Sequence, residues 1–404
     1  MSTSLLYHTC GVRGYSLTKT EFDGAMVLFH VAAQSTTCRC ASCGSTDCVR
    51  RGSHTRWFHN VPFGRKLTWI IAELPRLECK QCGALRQIDV GFAQPRRGYT
   101  KAFAQYVLDL APHMTIKDIA DHLSVSWDTI KEIVKTDLRK HYSRPSLAGV
   151  RHLAIDEIAV GHGHRYCTVV LDLDSGRVLF VGPGKGAETL VPFWRRLRRA
   201  KARVAAVAID LSSAYQLAVE THLPQAQIVF DHFHLVKLLN AKLSDLRRQL
   251  YRQAADDLHK DVLKGTRWLL LKHPDHLDLK RNERARLEEA LKLNESLATA
   301  YYLKEDLRQL WNQSCKAKAR WFLQSWYLQA LASGIRLIQQ FARTLLAHAP
   351  GILAWYDHPI STGPLEGTNN KIKTMQRQHY GLRDQEFFRL KIYALHRTKY
   401  ALVG

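Results

Sequence analysis

Acidic side chains are scarce in this sequence. Asp and Glu number 36 against 59 Lys and Arg, a formal charge of +23 over 404 residues. Such an imbalance draws polyanions at long range and makes nucleic acid the first candidate partner. A ribosome-associated or simply basic surface is the plainer alternative, and composition does not separate DNA from RNA. Also missing is any run near the ~20 uncharged apolar residues of a membrane helix, which excludes a helical span. The opening residues, MSTSLLYHTCGVRGYS, contain no basic segment followed by an apolar one. No signal peptide is therefore expected, and the chain is expected in the cytoplasm. Without export, disulfides are not expected among the nine cysteines, an odd number. Internal repeats and low-complexity tracts are absent. The length and the 46% hydrophobic content predict about two to four packed domains.

What is present begins with the cysteines, six of which fall between positions 38 and 82. Cys40 and Cys43 form one C-x-x-C pair, and Cys79 and Cys82 form another. The segment between them is rich in strand formers and has Pro62 and Gly64 at a turn. Two knuckles joined by a hairpin predict a zinc ribbon, with four thiolates set for tetrahedral Zn2+. Cys38, Cys48, His54 and His59 are the alternative ligands. So small a domain would have little core, and metal would hold it together.

Residues 99 to 142 have helical periodicity. Thr115 caps a short helix ending at Leu123, "SVS" turns the chain, and Ser126 caps a second helix. Ile116, Ile119, Ala120 and Leu123 share one face, as do Ile130, Ile133 and Val134. This is a helix-turn-helix pattern, or else an ordinary helical hairpin. In the first case the second helix enters the major groove of double-stranded DNA, with Ser126, Trp127, Asp128, Thr129 and Lys131 near bases or phosphates.

After "SRPSLAG" the pattern changes to three hairpin-linked strands, then helix, strand, helix and strand. That order predicts a mixed α/β sheet whose first and fourth strands are neighbours. Asp156 lies in the first, and alternation turns Glu157 to the other face. Asp210 ends the fourth. From 232 to about 350 the pattern is helical, with "KARWFLQSWYLQALASGIRLIQQFARTLL" as one long amphipathic stretch and Trp321 and Trp326 expected in the core. A basic helix then opens on Glu366. Three converging carboxylates repel by roughly several kcal/mol per pair, which divalent cations relieve; oxygen ligands suit Mg2+ or Mn2+. Asn370 and Lys373 follow Glu366 on one face, placed to meet phosphates. Lys371, Arg377 and the histidine of "NNKIKTMQRQH" would track the DNA backbone. The plainer reading of Glu366 is a capping acid on a solvated helix.

The order of ribbon, helix-turn-helix, "AIDEIAVGHGHRY", "AIDLSSAY", "FDHFHLVK" and "GPLEGTNNKIKTMQRQHYGLRD" closely resembles the bacterial insertion-sequence transposases of the ISL3 family. The resemblance runs from about residue 38 to the end. It implies a DDE transposase with a ribonuclease-H-like core, in which Asp156, Asp210 and Glu366 hold metal. It also implies supporting roles for Asp231 and His234, which otherwise read as an N-cap and a packed imidazole. The expected fold is multidomain α/β. Residues 1–95 form a zinc-ribbon DNA-binding domain and 96–145 a helix-turn-helix domain. Residues 150–234 and 351–404 form the two parts of the catalytic core, and 235–350 an all-helical insertion. The implied activity is binding of terminal inverted repeats, metal-dependent cleavage and strand transfer, by a homodimer or larger synaptic assembly. A DNA-binding regulator with an inactive nuclease core, or a structure-specific nuclease, is the alternative.

Overall fold

The computed structural model describes residues 5–161, 165–254, 257–378 and 383–396. The chain divides into two units, 1–143 and 144–396. Among the described residues no helix is long and apolar enough to cross a membrane.

The first unit begins with α1 (Leu5–Cys10), β1 (Tyr15–Asp23) and β2 (Met26–Ala33). The long hairpin of β3 (Cys48–Phe63) and β4 (Lys66–Cys79) follows, and then β5 (Leu85–Gln87). The sheet runs β1-β2-β4-β3, with β5 also on β4. The hairpin turns at Gly64, whose φ of +63° suits a residue without Cβ. One face buries Tyr15, Val27, Phe29, Phe58, Ile70 and Leu74 with Phe92. Phe92 meets Tyr15 and Phe58 edge-on at 5.1 and 5.2 Å. This corrects the expectation of a nearly coreless ribbon. Each large side chain buried here contributes about 1.5–3 kcal/mol, so the sheet does not rest on metal alone.

Three helices complete this unit: α2 (Lys101–Leu110), α3 (Ile116–His122) and α4 (Trp127–Tyr142). Thr100 caps α2 and donates its hydroxyl to Asn60 Oδ1 at 2.8 Å. That buried bond ties the helices to β3. Thr115 and Asp118 form a reciprocal capping box on α3, and Ser126 caps α4 by accepting from the Thr129 N–H. Between them Ser124 adopts a φ of +53°, which makes the tight turn.

The second unit opens with β6 (His152–Gly161), β7 (Arg165–Asp172), β8 (Val178–Pro183), α5 (Val191–Arg199) and β9 (Ala206–Ile209). α6 (Ser213–His222) and β10 (Gln227–Phe230) complete the sheet, in the order β10-β9-β6-β7-β8. The first and fourth strands of this unit are therefore adjacent, as expected. On one face Leu153, Ile155, Val207 and Ile209 pack with Phe193, Trp194 and Tyr215 of α5 and α6.

The helical part follows as α7 (His232–Gln253), α8 (Asp257–Gly265), α9 (Glu283–Leu293), α10 (Glu295–Leu307), α11 (Lys316–Ala332), α12 (Arg336–Ala347) and α13 (Ala349–Leu353). Leu235, Leu239, Leu297, Trp326 and Phe341 belong to the same apolar cluster as the first face of the sheet. The expected single stretch from 318 is two helices, because Gly334 takes a φ of +68° and turns the chain. Trp326 is 1% exposed but Trp321 is 72% exposed, against the expectation of core for both. Five residues advance a helix by about 140°, so the two rings cannot face the same way.

The chain then returns to the sheet. At Gly351 an added Cβ would lie 2.6 Å from the Phe230 ring and 3.2 Å from the Ile228 carbonyl, so α13 sits flush on β10. Finally α14 (Gly363–Gln378) and α15 (Gln385–Tyr393) cover the other face, where Leu365, Ile372 and Phe388 meet Ala154, Ile158 and Ala208.

Candidate functional site

Asp156 and Asp210 lie on the face of the sheet covered by α14. β6 and β9 run parallel with Ala154 opposite Ala208. Asp156 and Asp210 each follow two residues after that last pair, and the charge of Asp210 acts on Asp156. Asp210 stands just past β9 and accepts from the Ser212 N–H at 3.0 Å. Asp156 accepts from its neighbour's N–H, that of Glu157, at 2.8 Å. Its other oxygen accepts from Asn369 Nδ2 at 3.0 Å.

Burial pushes the Asp156 carboxyl up to about 6, and the charges of Glu157 and Asp210 add to the rise. The Glu157 N–H and the charge of His234 oppose it. Glu157 points to the other face, as alternation requires, where the Tyr215 hydroxyl bonds it. Burial raises its carboxyl as well, helped by the charge of Asp210. The end of these two strands therefore concentrates negative charge in a poorly hydrated place.

Asp231 and His234 belong to the same place. Asp231 precedes α7 but makes no side-chain cap. It is buried and accepts from His234 Nδ1 at 3.0 Å. Burial works to raise its carboxyl, yet the bonds from His234 and Thr362 and the charge of His232 hold it below the usual range. The bond to Asp231 raises His234, and the charges of Asp156 and Asp210 add to it.

α14 presents a buried stripe of Leu365, Thr368, Asn369, Ile372 and Met375. Glu366, Asn370, Lys371, Lys373 and Arg377 are exposed on its other sides. The residue that reaches Asp156 is therefore Asn369, one position before the asparagine singled out from the sequence. It is 6% exposed, and its Oδ1 has no hydrogen-bond partner. Glu366 lies one turn earlier on the same helix. The histidine of "RQH", His379, lies outside the described residues, as do residues 162–164 and 397–404.

The cysteines are closer set. Among the described residues, the one group of three or more His, Cys, Asp or Glu with ligand atoms all within 4.8 Å is Cys40, Cys43, Cys79 and Cys82. The three acids are not drawn to that distance. Cys40 Sγ is 3.7 Å from Cys82 Sγ, and Cys43 Sγ is 3.5 Å from Cys79 Sγ. A tetrahedron with ~2.3 Å metal–sulfur bonds has edges of about 3.8 Å. The two knuckles share one backbone pattern. Gly44 N–H bonds the Cys40 carbonyl and Gly83 N–H the Cys79 carbonyl, each at 2.9 Å. Both glycines have positive φ, 76° and 68°. The doubled C-x-x-C-G was thus a sharper signal than the cysteine pairs alone. N–H groups of Cys82 and Gln81 hold Cys79 down to about 6, and those of Cys43 and Ser42 lower Cys40. His59 is not a ligand: it stacks on Trp69 at 3.6 Å, and burial depresses it to about 4. This donor set is compatible with zinc.

On α4, Trp127 is 44% exposed, with Lys131 Nζ 5.1 Å above its ring. Ser126 and Asp128 are exposed, and Thr129 and Lys131 half-buried. The hydroxyls of Ser126 and Thr129 bond each other at 2.9 Å and so are partly occupied by the cap.

Comparison with known proteins assigns this arrangement. Residues 153–392 match the family described as transposase, within the ISL3 group, and residues 88–137 match the helix-turn-helix domain of transposase family ISL3. The chain is 35% identical over 390 residues to the transposase for insertion sequence element IS1001 of Bordetella parapertussis, covering 95% of this chain and 96% of that one. It is 29% identical to the transposase for insertion sequence element IS1557 of Mycobacterium tuberculosis, covering 90% of this chain and 87% of that one. Among solved structures, the Drosophila P element transposase strand transfer complex aligns with a TM-score of 0.39 and 12% identity, over 73% of this chain and 91% of that one. The chain belongs to the ISL3 family of transposases. It acts as a DNA transposase, an enzyme of DNA cleavage and strand transfer, and its helix-turn-helix is a DNA-binding element.

Proposed function

We infer that the second unit is a ribonuclease-H-like DDE core. Asp156, Asp210 and Glu366 hold a pair of Mg2+ or Mn2+ ions there, and Cys40, Cys43, Cys79 and Cys82 hold Zn2+. The observation that supports this reading is the pairing of β6 with β9, after whose last pair Asp156 and Asp210 each follow by two residues. The donors fit hard divalent cations: they are carboxylate oxygens, and the Asp156 carboxyl is raised first by burial and then by the charges of Glu157 and Asp210. When bound, such ions activate a nucleophilic oxygen and stabilise the leaving oxygen of a phosphodiester.

The chain's own residues set the stage for that. Asn369 fixes the Asp156 carboxylate by its 3.0 Å bond, and its buried Oδ1 has no partner. Asp231 keeps His234 in one orientation, with Nδ1 toward the carboxylate and a cation-stabilising field beside the two aspartates. Asn370, Lys371, Lys373 and Arg377, exposed on the flank of α14, meet phosphates of the strand being cut. In the first unit, Trp127, Asp128 and Lys131, with Ser126 and Thr129, face DNA at the element's terminal inverted repeats. Two ends must be joined, so the working species is a dimer or a larger assembly.

The test is cleavage of a duplex carrying the element's own end. Asp156→Asn and Asp210→Asn are each expected to abolish divalent-dependent cleavage and strand transfer while end binding stays intact. Cleavage by Asp210→Asn at the wild-type rate would refute the assignment.

A further inference from the structure

We propose that an edge of the second unit, built from α5 and the segment entering β9, binds duplex DNA through its phosphates at a place apart from the acids. Between Glu188 and Asp210 the chain has no acid, yet it carries Arg195, Arg196, Arg198, Arg199, Lys201 and Arg203. α5 turns its apolar side inward, with Phe193, Trp194 and Leu197 at most 3% exposed. Arg196 is used by the fold: it donates to the carbonyls of Leu179 at 3.3 Å and Pro145 at 2.8 Å. The other five cations are exposed. Arg195, Arg198 and Arg199 share one helix face by their spacing. Lys201 ends the helix with a φ of +50°, and Arg203 follows. Arg151, also exposed, joins from the neighbouring strand, where its carbonyl accepts from the Ala205 N–H at 2.8 Å.

No acid balances this group. At the same end of the sheet, Asp174 is bound by His152 at 2.8 Å, and Asp172 by Ser175 and, at 3.8 Å, Arg177. Among the described residues none of the six exposed cations forms an ion pair. A helix C-terminus favours one or two cations, but not six. Like charges gathered on one edge repel one another, and a polyanion relieves all the pairs together.

The place also distinguishes this surface from the acids. Arg203 precedes Asp210 by seven residues, up to about 23 Å of extended chain. That is roughly seven base pairs of axial rise. α5 moreover covers the sheet face opposite to α14. The edge thus grips a stretch of duplex other than the one being cut, either a distal part of the element's end or the target.

The experiment uses the full chain with Arg198→Gln, Arg199→Gln and Arg203→Gln combined, and a ~40-base-pair duplex of random sequence. Binding is followed by anisotropy at several salt concentrations. The slope of log affinity against log salt is expected to become shallower by about 0.9 per lost contact, two to three in all. Two further arms separate the sources. Weaker binding to a duplex bearing the element's end assigns the edge to that end; a defect only in strand transfer from pre-cleaved ends assigns it to target. An unchanged slope with both arms unchanged overturns the proposal. If the triple variant loses its fold, the single variants Arg199→Gln and Lys201→Gln replace it, each expected to shift the slope by about 0.9, and two unshifted slopes overturn the proposal equally.

Discussion

The four cysteines and the three acids invite comparison, because each set is suited to metal and only the cysteines have their ligand atoms within 4.8 Å of one another. The thiols stand 3.5–3.7 Å apart across the knuckles. Asp156 and Asp210 each follow by two residues the last pair of two adjacent strands, while Glu366 is exposed on a separate helix. The difference is electrostatic and topological. One hairpin with two copies of a glycine-closed turn collects all four thiols. Carboxylates repel one another, and the third is delivered from the far side of more than a hundred residues.

Cys79→Ser gives the largest expected effect on this contrast. Bound zinc falls from one per chain to none, and site-specific DNA binding weakens with it. The apolar sheet survives, however, because Phe58, Ile70 and Leu74 form a core of their own. Zinc content and far-ultraviolet circular dichroism measured together decide this; global unfolding would show that the metal alone holds the unit.

The acid site should behave in the opposite way. In the fold Asp156 keeps its proton up to about 6, against an ordinary value of 3.8. The folded state then holds a proton that the unfolded state has released. Stability without metal is therefore lost as pH rises from about 4 to about 6, by up to ~3 kcal/mol. Asp156→Asn is expected to stabilise the metal-free protein by up to that amount at pH 7 and scarcely at pH 4. Thermal unfolding in chelator at both pH values is the measurement, and equal shifts at the two would break the argument.

A smaller effect separates two adjacent asparagines. Asn369→Ala is expected to lower divalent affinity or cleavage by about 10–100-fold, as loss of a group that orients a ligand does. Asn370→Ala should weaken DNA binding and leave divalent affinity alone. The reverse pattern would return the role to Asn370.

Much of this was legible from spacing. Thr115 and Ser126 announce their helices, and the run of hairpins and crossovers forces β6 beside β9. Other features were not. β1 shows one buried residue, Tyr15, at its start and is otherwise mostly exposed, so no alternation marks it. Asn369 and Asn370 are chemically identical, and only the packing of α14 decides which turns inward. Trp321 lies in an apolar stretch whose inward face is claimed by Leu323 and Trp326 instead. Local chemistry can be read along the chain, but the direction of a helix face depends on what it meets.

Gly351 has a consequence of this kind. Because no side chain fits between α13 and Phe230, the excursion through the helices re-enters the sheet at a fixed doorway. Length gained or lost in the loops between α7 and α12 is absorbed before that doorway. The helix bearing the third acid can then keep its place while the outer helices diversify.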